Sequence, residues 1–278
     1  MTSLDIYKYL YQDNLHFIIE SVNYIMQRVV AIVPARFNAT RFSGKPLALL
    51  NGKPIIQHVF EQTAKAGLID KTLVATDDKR IYDTVVGFGG EAVMTSESHA
   101  TGTDRVAEAA AGLDCDIVVN VQGDEPFIRP GMIDDLVGMM QADSKASIGT
   151  IAKRITDIKE VLSPDVVKVV LDGDDFAIYF SRSPIPFYRD EWAGLDDIKL
   201  SGNTLIYKHI GIYAFRKDDL LKFTELGEST VEKAERLEQL RALNSGMKIK
   251  VKETIHDTLG IDTVDDLKKA EEWLNISS

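Results

Sequence analysis

The sequence predicts an α/β fold built on a mostly parallel mixed sheet flanked by helices, and three observations carry that expectation. Short runs rich in β-branched residues, Val29 to Val33, Lys71 to Thr76 and Ile117 to Val121, have the length and composition of buried strands. Helical stretches with capping residues separate them, and alternation of strand and helix marks a parallel sheet. Polar or charged loops follow the strands, at the sheet edge where proteins of this class bind ligands.

The 278 residues suffice for one large core with a subdomain. A composition of 45% hydrophobic and 27% charged residues is that of an ordinary soluble globular protein. A net charge of -11 argues against a nucleic-acid or anionic-membrane surface, which the whole-molecule field would repel. Small anions need a local basic spot or a metal. The lone Cys115 provides no disulfide framework and fits a reducing cytoplasm. No apolar run approaches the ~20 residues of a membrane span, so no membrane insertion is expected.

Residues 1 to 27 stand apart. Leu4, Tyr7, Tyr11, Leu15, Ile18, Val22 and Ile25 recur at helical spacing, which predicts an amphipathic helix. Two readings are open: the helix docks on its own domain or a partner, or natural translation begins at Met26.

The first strand is expected to close at Pro34, where a continuing central strand would lose a ladder donor. The loop beyond Ala35 places Arg36, Arg41 and Lys45 on one bend, with Gly44 free to adopt a backbone other residues resist. Three cations just past a strand form a seat for a phosphate chain. It is not a Walker A loop, because Pro46 follows Lys45 where a magnesium-holding hydroxyl would be required. Nor is it a dinucleotide fingerprint, since Gly87, Gly89 and Gly90 fall where a helix should end.

Pro54 opens a helix that ends near Gly67. Asp77 or Asp78 caps a helix reaching Gly87, Val93 and Met94 form a short strand, and Thr103 caps a helix over 104 to 112. The strand ending at Val121 empties into Gln122, Gly123, Asp124, Glu125 and Pro126. Asp124 therefore lies at the same edge as Arg36. Were a carboxylate to face a triphosphate there, the like charges at about 4 Å and an effective dielectric of about 20 would cost about 4 kcal/mol. A cation between them removes that cost, and magnesium, which takes one or two protein carboxylates plus substrate phosphates, suits the place.

Val166 to Leu171 and Phe176 to Ser181 read as a β-hairpin that delivers Arg182 into a proline-bounded loop. Residues 189 to 206, polar and weakly periodic, are expected to form a mobile loop. His209 and Tyr213 share a face of the next strand, being four residues apart. Ser229 and Glu232 form a capping box for a helix through Leu243. After a last strand, Ile249 to Ile255, Thr263 and Asp266 cap a terminal helix through Leu274. Asp262 stands just outside that helix, either favoured by its dipole or acting as a second metal ligand.

Taken together, VVAIVPARFNATRFSGKPL, LVATDDKRI, SHATGTDRVAE, IVVNVQGDEPFI, VVKVV, YFSRSPIPF, KHIGIYAFRKD, ERLEQLRAL and GIDTVDDL resemble the family of 3-deoxy-manno-octulosonate cytidylyltransferases. The match runs from about Arg28 to Leu274 in conserved segment order. The combination of QGDEP, FSR-x-x-IP, KH-x-G-x-Y and LEQLR is its specific part.

The resemblance implies a nucleotide-diphospho-sugar transferase fold. It implies a single domain over 28–274, with a sugar-binding and dimerisation subregion at about 163–245 and a tail at 275–278. It implies a homodimer that joins CTP to the eight-carbon acid sugar Kdo, giving CMP-Kdo and pyrophosphate for the lipopolysaccharide core. Arg36, Arg41 and Lys45 would hold the triphosphate. Ala35, Ala75, Thr76, Asp77, Thr103, Arg105 and Gln122 would complete the nucleotide site. Asp124 and Asp262 would hold Mg2+, and Arg182, His209, Tyr213, Glu238 and Gln239 would face the sugar. Of these, Arg36, Lys45, Asp124 and Asp262 would carry the chemistry.

The residue chemistry agrees. In-line attack of the anomeric hydroxyl on the α-phosphorus needs charge neutralisation and positioning more than a covalent nucleophile. Arg182 offers a planar fork suited to the sugar carboxylate. No protein base is assigned; His209 is a candidate for that role or for a structural hydrogen bond. The nearest rivals are cytidylyltransferases for the 8-amino analogue of Kdo or for sialic acid. A metal-dependent glycosyltransferase would want Asp-x-Asp where Gly123-Asp124-Glu125 stands. A catalytically silent nucleotide-binding protein would not need two metal carboxylates.

Overall fold

Strand β1 (Val29–Ala35) is buried along its whole length and is the axis of the sheet. The computed structural model describes residues 27–38, 42–194, 198–202 and 204–277. The helix expected before Met26 and the side chain of Arg41 therefore lie outside the described residues.

On one side β1 pairs in parallel with β4 (Lys71–Thr76), and β4 with β5 (Ala92–Met94). On the other side it pairs in parallel with β6 (Ile117–Asn120). Next come β10 (Tyr207–Arg216), antiparallel to β6, then β7 (Ile148–Arg154), antiparallel to β10, and β11 (Ile249–Thr254), parallel to β7. Along this path β10 alone is inverted, so the sheet is mixed but mostly parallel. The hairpin β8 (Lys168–Leu171) and β9 (Ala177–Ser181) joins through β10. A separate two-stranded ribbon, β2 (Leu49–Leu50) with β3 (Lys53–Pro54), lies outside the sheet.

The helices are α1 (Ile55–Thr63), α2 (Lys79–Gly87), α3 (Gly102–Ala111), α4 (Pro130–Ala142), α5 (Ile158–Leu162), α6 (Lys217–Glu225), α7 (Thr230–Glu235), α8 (Gln239–Asn244) and α9 (Val264–Ser277). They cover both faces. Ala31, Val33, Val74 and Val119 enter one apolar cluster with residues of α1 and α4, while Val30, Ile32, Leu73 and Val118 enter another with residues of α3 and α6. Burial on both faces is why these strands read as unbroken apolar runs. Burial of each valine, leucine or isoleucine among them contributes about 1.5–3 kcal/mol.

Several boundaries differ from the sequence reading. Strand β1 continues through Pro34 to Ala35, because pairing with β6 ends at Ile32 and beyond that point β1 has a neighbour only on the β4 side. The missing N–H is therefore tolerated. Helix α3 starts at Gly102, and its capping box is formed by Thr101 with Asp104 rather than by Thr103. The helix expected from Ser229 through Leu243 is two helices: the Ser229–Glu232 box is present, but Arg236 turns left-handed at φ 54° and ends α7. The 189–206 stretch, expected to be a mobile loop, packs in its described part against Ile155 and Val161 to form a small core. Trp192, Ile198 and Ile206 are buried there, and the Trp192 indole N–H donates to the Lys199 carbonyl at 2.9 Å.

A bulge between Ile210 and Tyr213 inserts two residues against β7. An even insertion preserves alternation, so His209 and Tyr213 keep a common face with ring centroids 5.3 Å apart.

Candidate active site

The parallel strands end along one edge, and their following loops build a cleft of about 390 Å3. Its wall includes Ala35, Arg36, Lys45, Arg105, Gln122, Asp124 and Asp262. After β1 the chain loops out and returns through Gly44, whose φ of 72° and close approach to the Phe37 ring suit glycine. The Gly44 N–H donates to the Phe37 carbonyl at 2.8 Å, closing the loop just before Lys45. After β6, Gly123 passes so close to β1 that a Cβ would lie 2.7 Å from the Pro34 carbonyl oxygen. That contact sets Asp124 opposite the basic bend.

The Lys45 ammonium donates to Asp124 Oδ2 at 2.7 Å and to Asp262 Oδ1 at 3.0 Å. Asp262 arrives from the carboxyl end of β11, which runs parallel to β7 and so opens on the same edge. Thr263 and Asp266 form the expected capping box, with the Thr263 hydroxyl accepting from the Asp266 N–H at 3.1 Å and the Thr263 N–H donating to Asp266 Oδ2 at 3.0 Å. Both carboxylates thus converge on one point, and the cation at that point is Lys45.

No cluster of three or more His, Cys, Asp or Glu side chains able to hold a metal occurs among the described residues. Two hard carboxylates converging beside a phosphate-sized cleft nevertheless suit Mg2+, which leaves its remaining positions to water and substrate phosphates. The neighbouring Glu125 has the Thr258 side chain beside its carboxylate. Burial, reinforced by the Asp124 charge, raises its pKa to about 7.

On the far side of the cleft, Arg105 is 3% exposed, and its guanidinium donates to Asp77 Oδ2 at 2.6 Å and to the Thr95 hydroxyl. Ala75 and Thr76 are fully buried at the end of β4. The Gln122 side-chain amide donates to Asn120 Oδ1 at 3.0 Å. The cleft also has residues the sequence reading passed over, namely His99, Thr101 and Gly102. His99, paired with Glu108, stands in the loop after β5, and its position past a strand end was the available signal.

Ala75, Thr76, Asp77 and Thr103 of the expected nucleotide site, and Arg182, His209, Tyr213, Glu238 and Gln239 of the expected sugar site, do not line this cleft. Thr103 links the two regions, its hydroxyl donating to Glu238 Oε2 at 2.8 Å. Glu238 is buried, which raises its pKa, and its Oε1 has no partner. Tyr213 is likewise shifted upward by burial and then by Glu238. His209 exchanges a hydrogen bond with the Thr150 hydroxyl at 2.8 Å, and burial pushes its pKa down to about 3. It is therefore neutral near pH 7. Gln239 is 7% exposed at the start of α8.

Arg182 is largely committed to the chain itself. Its guanidinium donates to the carbonyls of Glu235 at 2.7 Å, Pro164 at 2.8 Å and Arg236 at 3.4 Å. Beside it the fully buried Lys168 ammonium donates to the carbonyls of Ser163, Val166 and Arg182 at 2.9, 2.6 and 2.6 Å. Burial, then the Arg182 charge, lowers the Lys168 pKa to about 8. The pair ties the hairpin to the end of α7, three residues before Glu238.

A mixed sheet whose strand ends present cations, paired carboxylates and a small polar cleft is the architecture of a nucleotidyltransferase. The cytidylyltransferase family profile matches residues 30–249. The 3-deoxy-manno-octulosonate cytidylyltransferase of Trichlorobacter lovleyi is 51% identical over 246 residues, covering 88% of this chain and 98% of that protein. That of Geobacter sulfurreducens is 51% identical over 247 residues, covering 88% and 99%. The solved structure of CMP:2-keto-3-deoxy-manno-octonic acid synthetase complexed with CTP superposes with a TM-score of 0.83 at 39% identity, over 90% of this chain and 100% of that one. The 4-diphosphocytidyl-2C-methyl-D-erythritol synthase of Anaerococcus prevotii, at TM-score 0.58 and 16% identity, shares the fold. The chain belongs to the cytidylyltransferase family and, within it, to the 3-deoxy-manno-octulosonate cytidylyltransferases.

Proposed function

We propose that the protein transfers CMP from CTP to the anomeric hydroxyl of Kdo, releasing pyrophosphate and supplying CMP-Kdo for lipopolysaccharide core synthesis. The observation that carries this reading is the meeting of Lys45, Asp124 and Asp262 at one end of a cleft with Arg36, Arg105 and Gln122 in its wall. Its support from outside the chain is the set of relatives at about half identity that carry that activity by name.

Arg36 and Lys45, with Arg41 on the same bend, neutralise the triphosphate, so that charge accumulating as the α-phosphorus is attacked meets fixed cations. Ala35, Ala75, Thr76, Asp77, Thr103, Arg105 and Gln122 hold the cytidine and fix the α-phosphate for in-line approach. Asp124 and Asp262 would hold Mg2+, which would polarise the phosphate and lower the pKa of a hydroxyl it touched. Lys45, at the same point, donates to the phosphate oxygens of the bound nucleotide. Tyr213, Glu238 and Gln239 orient the sugar. His209, neutral and bonded to Thr150, shapes that pocket. Arg182 uses the donor directions its carbonyl partners leave open for the sugar carboxylate.

The protein works as a homodimer in the cytoplasm. Supporting the first part, Ile178 and Phe187 expose 58% and 49% of their surface around the hairpin. Supporting the second, Cys115 is a buried free thiol. No helix among the described residues is long and apolar enough to cross a membrane.

A pyrophosphate-release assay with CTP and Mg2+ across Kdo, its 8-amino analogue and sialic acid tests the reading. Turnover with Kdo at the highest kcat/KM is expected. Preference for either competitor would reassign the substrate, and release with none would refute the activity.

A further inference from the structure

Asp262 lies far from Asp124 in sequence, and the chain bringing it there, residues 255 to 262, has no regular secondary structure. Something must hold that stretch against the β6 loop, or the second carboxylate would sample many positions. Glu125 points its side chain across the gap. The Thr258 side chain lies beside its carboxylate and opposes the upward shift of its pKa. A Cβ at Gly260 would lie 3.1 Å from Glu125 Oε1, so the backbone at Gly260 runs against the carboxylate in a space that suits glycine. The Ile261 N–H then donates to the Asp124 carbonyl at 2.9 Å, and the Ile261 side chain is fully buried. Glu125 Oε2 is sealed from solvent and has no partner. A carboxylate is costly to leave in such a place, so its retention needs a reason.

We propose that Glu125 is a positioning residue: it clamps the 258–261 turn onto the β6 loop and so presents Asp262 to the point where Lys45 and Asp124 meet. The clamp itself is independent of any ligand. Its consequence for divalent-ion binding rests on the Proposed function reading that Asp124 and Asp262 hold the metal. Outer partners of metal ligands commonly set affinity by 10–100-fold.

Three full-length variants test this: Glu125→Ala removes the clamp, Thr258→Ala removes one hydroxyl with little risk to folding, and Glu125→Gln keeps an acceptor for Thr258. Amide hydrogen exchange is read without metal over residues 257 to 263, and Mn(II) affinity is read in the presence of CTP. Exchange is expected to rise about tenfold in Glu125→Ala, less in Thr258→Ala, and little in Glu125→Gln. Mn(II) affinity is expected to fall about 10–100-fold in Glu125→Ala. CTP binding without metal should be unchanged. Wild-type exchange rates in both alanine variants would overturn the clamp. Faster exchange with unchanged Mn(II) affinity would uphold the clamp and count against Asp262 as a metal ligand.

Discussion

Lys45 and Asp124 form an ion pair at 2.7 Å, with the lysine side chain 12% exposed and the aspartate 30%. A pair so shielded is worth more than a surface contact only while both partners remain, because removing one leaves the other charged and poorly solvated. Asp262 shares the same ammonium at 3.0 Å. The lysine thereby keeps two like charges together before any substrate arrives.

Replacing Asp124 by Ala should lower pyrophosphate release by at least about 100-fold, the scale of losing one preorganised electrostatic group. Asp262 keeps Lys45 partly neutralised, so the melting temperature should fall by only a few degrees. Parallel turnover and thermal-melt measurements check the separation.

Lys45→Met would remove the ammonium that Asp124 and Asp262 share. The variant should melt lower than wild type without metal and gain more from added Mg2+, because the ion relieves a like-charge cost of up to about 4 kcal/mol at about 4 Å. Its KM for CTP should rise, since a phosphate partner is gone. Melting curves with and without Mg2+, together with CTP kinetics, read both effects.

Arg182→Lys exchanges a planar fork, which reaches three carbonyls from three separate nitrogens, for a single ammonium that cannot span the same three positions. The melting temperature should drop and KM for Kdo should rise, because the end of α7 sits just before Glu238 and Gln239. KM for CTP should hold. A raised sugar KM with an unchanged melting temperature would instead assign Arg182 wholly to the substrate carboxylate.

His209 titrates near 6.5 when unfolded and at about 3 in the fold. Between those values the unfolded chain binds the extra proton, so stability is lost as pH falls, by up to about 1.4 kcal/mol per pH unit. His209→Gln, which retains a hydrogen bond to Thr150, should flatten that decline between about pH 6.5 and about pH 4. Denaturant melts across this range check it. The pH profile of kcat above about pH 6 should be unaltered, since a neutral imidazole has no proton to gain or lose there.

Much of the architecture was legible because its strands are buried on both faces. Val29 to Val33, Lys71 to Thr76 and Ile117 to Asn120 show as β-branched runs, and the ends of the first and third of these strands enter the cleft. Local chemistry also revealed the caps at Ser229 and Thr263. Strand β7 escaped notice, although it lies between β10 and β11, because Gly149, Thr150 and Lys153 interrupt its apolar pattern. The break at Arg236 was hidden too. A left-handed arginine is held by tertiary partners such as Arg182, and its sequence carries no glycine to announce it. Within the site, Lys45, Asp124 and Asp262 could be named one by one. Their shared hydrogen bonds depend on a turn held by Glu125, which only the three-dimensional arrangement reveals.

The central claim, that one crevice brings the basic bend and both carboxylates to a common divalent ion, is tested most directly by anomalous diffraction from crystals soaked with Mn(II) and CTP. One manganese peak ligated by Asp124 and Asp262, with the Lys45 ammonium moved onto phosphate oxygens, is the predicted result. CTP bound in the cleft with Lys45 still bridging the two carboxylates, and manganese elsewhere or absent, would contradict it.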